Sequence, residues 1–210
     1  MEKTYFEDQV FSNITQKDRA LEHLQFVDCQ FKDCVLEECK IVGCMFVGCM
    51  FVGCEFVGCS VISPIVRYSE MKNSAFIGCN LIGVHWNQLL SQGRLAEPLH
   101  QLQDCVLKYN SFVGMNLKKM DFSHNVMLQS SVDECNLWES KWVGCDLEGT
   151  RFERCDLRRA DFREAGGYVI DVISNRLDDT QFSFPQVMGL LQSLPIKTGG
   201  NGPSEWRNRG

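Results

Sequence analysis

Apolar side chains recur every five residues along almost the whole chain. One series of centres runs from Phe6 to Trp86 and a second from Leu102 to Phe182. Of these 34 positions 32 are apolar, and only Gln16 and Gly167 fail. Of the 14 phenylalanines, all but Phe184 are centres. The position two residues before a centre is small. All 12 cysteines fall there: Cys29, Cys34, Cys39, Cys44, Cys49, Cys54, Cys59 and Cys79 in the first series, Cys105, Cys135, Cys145 and Cys155 in the second. Ser, Ala and Thr fill the slot at several other pentads. A period of five matches neither the 3.6 of a helix nor the 2 of a flat strand. It fits an all-β coil that turns a corner every five residues and closes a four-sided turn every 20. The centre and the small slot then face inward, and the other three positions face water. At about 4.8 Å between strands, about eight and a half coils make a rod roughly 40 Å long. Glycine is frequent two residues after a centre, as at Gly48 and Gly149, where a type II turn needs a positive φ.

Four places break the pattern, and they suggest the domain boundaries. Gln16 and Arg19 predict an irregular first coil or a short helical turn at about 12–24. Pro64 stands in a small-residue slot before the weak centres Val66 and Met71, which predicts a distorted coil. Asn87–Gln101 interrupts the repeat and shifts its register by one, so that one, six or eleven residues could protrude. After residue 184, Pro185 starts a segment in which Val187, Leu190, Leu191 and Leu194 recur at helical spacing. A short helix over 185–197 would cap the rod or pair with its copy in another subunit, and 198–210 reads as a flexible tail.

Composition narrows the class. The chain has 210 residues and a net charge of −6, which argues against a direct nucleic-acid footprint. The first ten residues lack a signal-peptide pattern and no apolar run reaches membrane-span length. A cytoplasmic protein with reduced thiols is therefore expected. Cysteines five apart on stacked coils lack the C-x-x-C spacing of zinc sites. His23, His85, His100 and His124 form no ligand or nucleophile pattern, and no phosphate loop appears. No metal, cofactor or enzymatic activity is expected. Asp121, Asp146, Asp156 and Asp161 repeat at one outward position, which suits solvated, backbone-capping roles.

Binding surfaces are the better candidates. Asp18, Glu37, Glu38 and Glu55 fall on one side of the predicted coil as an acidic face. Val42, Met45, Val47, Met50, Val52 and Val57 occupy outward positions as an apolar belt. Such a belt marks an interface or reflects the preference of β-branched residues for strands. Arg151, Arg154, Arg158, Arg159 and Arg163 form a basic cluster whose expected partners are Glu148, Glu153, Asp156, Asp161 and Glu164.

Cys145-Asp146-Leu147-Glu148-Gly149, Cys155-Asp156-Leu157-Arg158-Arg159 and Ala160-Asp161-Phe162-Arg163-Glu164 resemble the A(D/N)LXX consensus of the pentapeptide-repeat family. The resemblance covers about residues 6–197 and implies a right-handed quadrilateral β-helix. Three segments are similar to a narrower group, the Qnr quinolone-resistance and albicidin-resistance proteins. They are Leu81–Asn87, the stretch Cys135-Asn136-Leu137-Trp138-Glu139-Ser140-Lys141-Trp142, and the terminus from Gln181 to Ile196. This likeness implies a protein that engages DNA gyrase or topoisomerase IV and shields it from a poison, partly by imitating duplex DNA. It also implies a homodimer joined through Pro185, Val187, Met188, Leu190, Leu191 and Leu194, and a partner-binding loop with Gln88, Leu89, Leu90, Gln92, Arg94, Leu95 and Glu97. The alternative is a scaffold or adaptor with an unrelated protein partner.

Overall fold

The computed structural model describes residues 4–90 and 99–195. The chain winds as a right-handed, four-sided parallel β-helix of about 8 turns. Most strands are three residues long, and each pairs with the strand one coil away. Phe6 lies beside Phe26, Phe31 beside Phe51, and Val61 beside Leu81. The first face begins with Tyr5–Glu7, Gln25–Val27, Met45–Val47 and Ile65–Arg67, and later carries Ser111–Val113, Ser131–Asp133 and Arg151–Glu153. The second face begins with Val10–Ser12 and runs to Glu70–Lys72; the third runs from Thr15–Lys17 to Leu99–Gln103. The fourth holds the longest sheet, six strands from Ala20–Glu22 to Val126–Leu128.

Stacked centres fill the lumen. Phe6, Phe26 and Phe46 stack at 5.0 and 5.2 Å between ring centroids, and Phe122 lies 4.1 Å from Trp142. The coil rise sets this spacing, so each ring meets the next in van der Waals contact while neighbouring faces meet edge to face. Burial of such side chains contributes about 1.5–3 kcal/mol each.

The cysteine slot does more than stay small. The Cys49 thiol donates toward the carbonyl of Phe26, 3.4 Å away, and the Cys59 thiol toward that of Leu36, 3.2 Å away. Each cysteine thus reaches the centre carbonyl of the coil below. Serine, threonine and asparagine occupy the same slot with the same logic. Ser69 Oγ accepts from the Cys49 N–H at 3.0 Å, and Asn125 Oδ1 accepts from the Cys105 N–H at 2.7 Å while its Nδ2 donates to the Leu102 carbonyl at 2.9 Å. The slot satisfies corner groups that the strand ladder leaves over. Asn110, Asn125 and Asn175 are buried in this way, a residue type the sequence pattern did not suggest.

Corners place one residue in the left-handed region two positions after the centre, whether glycine (Gly48, φ 65) or not (Asp28, φ 50). Type II closure is found later in the chain, where Ser140 N–H donates to the Leu137 carbonyl at 3.0 Å and Thr150 N–H to that of Leu147 at 2.8 Å. At Gly48 the following N–H, of Cys49, instead donates to Ser69 Oγ, so the early corner is an open bend.

Several expectations are corrected. The first coil is regular, with Thr15–Lys17 and Ala20–Glu22 as strands and Gln16 beside Leu36. Gln16 and Arg19 lie exposed in the terminal coil, so their polar groups stay hydrated. The coil after Pro64 is not distorted, because strands Ile65–Arg67 and Glu70–Lys72 keep register. Proline costs little there because N–H groups in this slot bond a side chain, as at Cys49, or close a turn, as at Ser140, and do not join the strand ladder.

The interruption inserts six residues. Phe56 lies beside Phe76, 20 positions on, but Phe76 lies beside Leu102, 26 positions on. One of the six is His100, bulged between Leu99, opposite Ser74, and Gln101, opposite Ala75. The last coil also differs from a strict count of five, since Phe152 pairs with Ile170 and not Val172. Gly167 cannot fill a centre, and the Tyr168 ring packs instead against Phe162 and Phe182 at 5.8 and 5.7 Å. The register is restored where Arg176 bridges to Asp156. The C-terminal helix is a 3₁₀ helix, Gln186–Ser193.

Candidate interaction surfaces

Repetition of one short unit leaves a rod whose surface varies only where the unit varies. Five such places stand out, together with the buried thiols.

The chain leaves the repeat through a 3₁₀ turn, Trp86–Leu89. The Trp86 indole Nε1 donates to Asn110 Oδ1 at 3.1 Å and its ring stacks on Phe112. Of the expected partner-binding loop, Leu89 is buried, Leu90 packs against the core and Gln88 is exposed. Leu89 therefore serves as an anchor for the excursion. Gln92, Arg94, Leu95 and Glu97 lie outside the described residues.

At the C-terminal end, the 3₁₀ helix packs Leu190 against the core. Phe184 is 79% exposed, and Met188 and Leu191 are also open to solvent. Pro185 is exposed, while Val187 and Leu194 are half-buried. An apolar surface thus remains at the end of the rod.

Glu37 and Glu55 lie on the third face, and Asp18 and Glu38 at the corner that follows it. Lys17 stands among them, its Nζ 3.4 Å from Glu37 and 3.9 Å from Glu38. The arginine cluster is mostly engaged. Arg154 pairs with Asp133, Glu134 and Glu153, Arg158 with Asp156 at 2.6 Å, and Arg163 with Asp161 at 2.7 Å. Arg159 reaches Glu139 and Asp179. Arg151 has no ion pair among the described residues, and neither Glu148 nor Glu164 joins one there. Asp121, Asp146, Asp156 and Asp161 each accept the backbone N–H two residues on. Arg158 and Arg163 hold the Asp156 and Asp161 carboxyls below the usual range.

The apolar belt is not uniform around the rod. Val42 joins Ile62 and Ile82 in a column on the fourth face, and Met45 joins Ile65 on the adjoining edge of the first. Met50 and Val52, on the second face, are flanked above and below by Gln30, Lys32, Glu70 and Lys72. Val47 and Val57 lie on the first and third faces.

All twelve thiols are buried and free. Burial pushes Cys49 and Cys54 up to about 11 and Cys145 up to about 12. Cys105 and Cys135 move down, because the thiols of Cys79 and Cys155 hydrogen-bond to them.

Fold and period together define a four-sided parallel β-helix built on a five-residue repeat. The pentapeptide-repeat family model matches residues 133–165 as eight copies. Among solved structures, two trypsin-treated variants of QnrB1, a plasmid-mediated fluoroquinolone resistance protein, are similar in fold. The first is 15% identical, with a TM-score of 0.61 over 92% of this chain and 99% of that chain. The second is 15% identical, with a TM-score of 0.52 over the same shares. HetL, from the cyanobacterium Nostoc and involved in heterocyst differentiation regulation, is 13% identical, with a TM-score of 0.49 over 85% of this chain and 89% of that chain. No curated protein matches the sequence. Among the described residues, no helix is long and apolar enough to cross a membrane.

Proposed function

We propose that this protein is a non-enzymatic binding rod that engages DNA gyrase or topoisomerase IV and protects it from a poison of the quinolone or albicidin kind. Such a role serves antibiotic resistance or self-immunity. The observation that carries this reading is the six-residue excursion after Trp86, on a rod whose fold is similar to QnrB1 over 92% of this chain. Buried Trp86 and Leu89 give the excursion a fixed root. DNA mimicry has the smaller part, because Lys17 sits within the acidic face and offsets two of its carboxylates.

The protein acts as a homodimer joined at the C-terminal end. Phe184, Met188 and Leu191 supply the exposed apolar surface that a partner copy would cover. The compact acidic face also favours the second reading, an adaptor whose partner is unrelated to topoisomerases.

Surface plasmon resonance against immobilised, purified gyrase tests the proposal. The full chain binds, and replacing 91–98 by a Gly/Ser segment of equal length abolishes binding while strand content by circular dichroism is unchanged. Equal binding by the replaced chain removes the loop from the mechanism. Absence of binding by the full chain to both gyrase and topoisomerase IV favours the adaptor. Truncation after Phe182 gives monomers by light scattering; dimers there contradict the end-to-end interface.

A further inference from the structure

Away from the first coil, the last coil and the C-terminal helix, the exposed large hydrophobics among the described residues are Ile65, Tyr68, Val106 and Tyr109. Ile65 and Tyr109 border the corner between the fourth and first faces, whereas Tyr68 and Val106 stand at the far edges of those two faces. Between these faces runs one corner of the rod. Its N-terminal part is apolar, with Val42, Ile62 and Ile82 on one side and Met45 and Ile65 on the other. Its C-terminal part is an open groove of about 720 Å³ whose lining includes His85, Tyr109, Ser111, Gln129, Ser131 and Arg151 and contains no carboxylate. Arg151 differs from Arg154, Arg158, Arg159 and Arg163 in having no ion pair among the described residues. On a chain with 27 acidic residues, a carboxylate-free groove ending at an unpaired guanidinium is complementary to a negative charge.

We infer that this corner is a docking groove for an extended segment of a partner protein, apolar along most of its length and carrying a carboxylate side chain at one end. Ile65 and Arg151 occupy equivalent positions four coils apart, about 19 Å at the usual strand spacing. An extended chain covers that distance in about six residues. The segment runs across the strands, whose backbone groups are already paired within the sheets. Recognition therefore rests on side chains, with apolar packing in the N-terminal part and a charge-assisted, bidentate contact to Arg151 in the C-terminal part. The inference does not depend on the identity of the topoisomerase or on residues 91–98.

Panning a phage-displayed library of random dodecapeptides on the full chain tests it. Enriched peptides should combine an apolar run with Asp or Glu. By fluorescence anisotropy, Arg151→Glu should weaken the best peptide at least about tenfold and Ile65→Asp comparably. Lys118→Glu, on the second face, should leave affinity within about twofold. Both key side chains are exposed, so the variants should melt with the wild type. Failure to enrich any peptide, enrichment of basic peptides, or equal binding by Arg151→Glu overturns the proposal.

Discussion

The thiol of Cys145 donates to the backbone carbonyl of Phe122, 23 residues earlier and one coil below, at 2.9 Å. That contact ties the small-residue slot to the stacked centres, so each cysteine both fills space and satisfies a corner carbonyl. Cys145→Ala should cost about 1–2 kcal/mol, from a lost hydrogen bond and a small void. Cys145→Ser should stay within about 1 kcal/mol, because Ser69 already serves the same slot. Cys145→Leu should cost about 3 kcal/mol or more by overpacking. Urea unfolding of the three variants checks the order.

Thiol accessibility gives a second prediction. All twelve cysteines are buried, and burial holds Cys49, Cys54 and Cys145 mostly protonated at pH 8. An aromatic disulfide reagent should label the native chain slowly and all twelve thiols promptly in guanidinium. Rapid labelling of several native thiols would contradict the closed lumen.

Gly167 and Gly114 should respond differently to alanine. Both have positive φ, 75 and 64. A Cβ at Gly167 lies 2.7 Å from the backbone of Glu148, whereas one at Gly114 meets nothing within 4 Å. Gly114→Ala should therefore cost about 1 kcal/mol, from the left-handed conformation alone. Gly167→Ala should cost clearly more and loosen the last coil. Comparing their thermal midpoints checks this.

Acid should destabilise the C-terminal coils. Asp156 and Asp161 have depressed folded-state values, held down first by Arg158 and Arg163. Groups of this kind contribute stability above their unfolded pKa of about 3.9. The contribution is lost as pH falls below about 4 and through the folded values. Asp156→Asn and Asp161→Asn together should flatten the fall in melting temperature between pH 5 and 2.

The fold was legible because the centres repeat without a gap long enough to hide the period, from Phe6 to Trp86 and from Leu102 to Phe182. What the pattern obscured were departures settled in three dimensions. Gln16 reads as a broken coil, yet a terminal coil leaves a polar centre hydrated. Val172 keeps the count of five, but Gly167 leaves a gap that Tyr168 fills, and Ile170 becomes the partner of Phe152. Leu89 looks like loop sequence and is core. The corner between the first and fourth faces was the least visible part. Its residues are 20 or 26 positions apart, and a scan along the chain places Val42, Ile62 and Ile82 in different segments.

Gyrase protection is the central claim, and a supercoiling assay measures it directly. Purified gyrase, relaxed plasmid and an inhibitory dose of a fluoroquinolone are combined with increasing amounts of the full chain, with albicidin in a parallel series. Recovery of supercoiling at micromolar protein in either series, lost when 91–98 is replaced by Gly/Ser, is the predicted result. Unchanged inhibition at every concentration, with both drugs and with topoisomerase IV in place of gyrase, would contradict it.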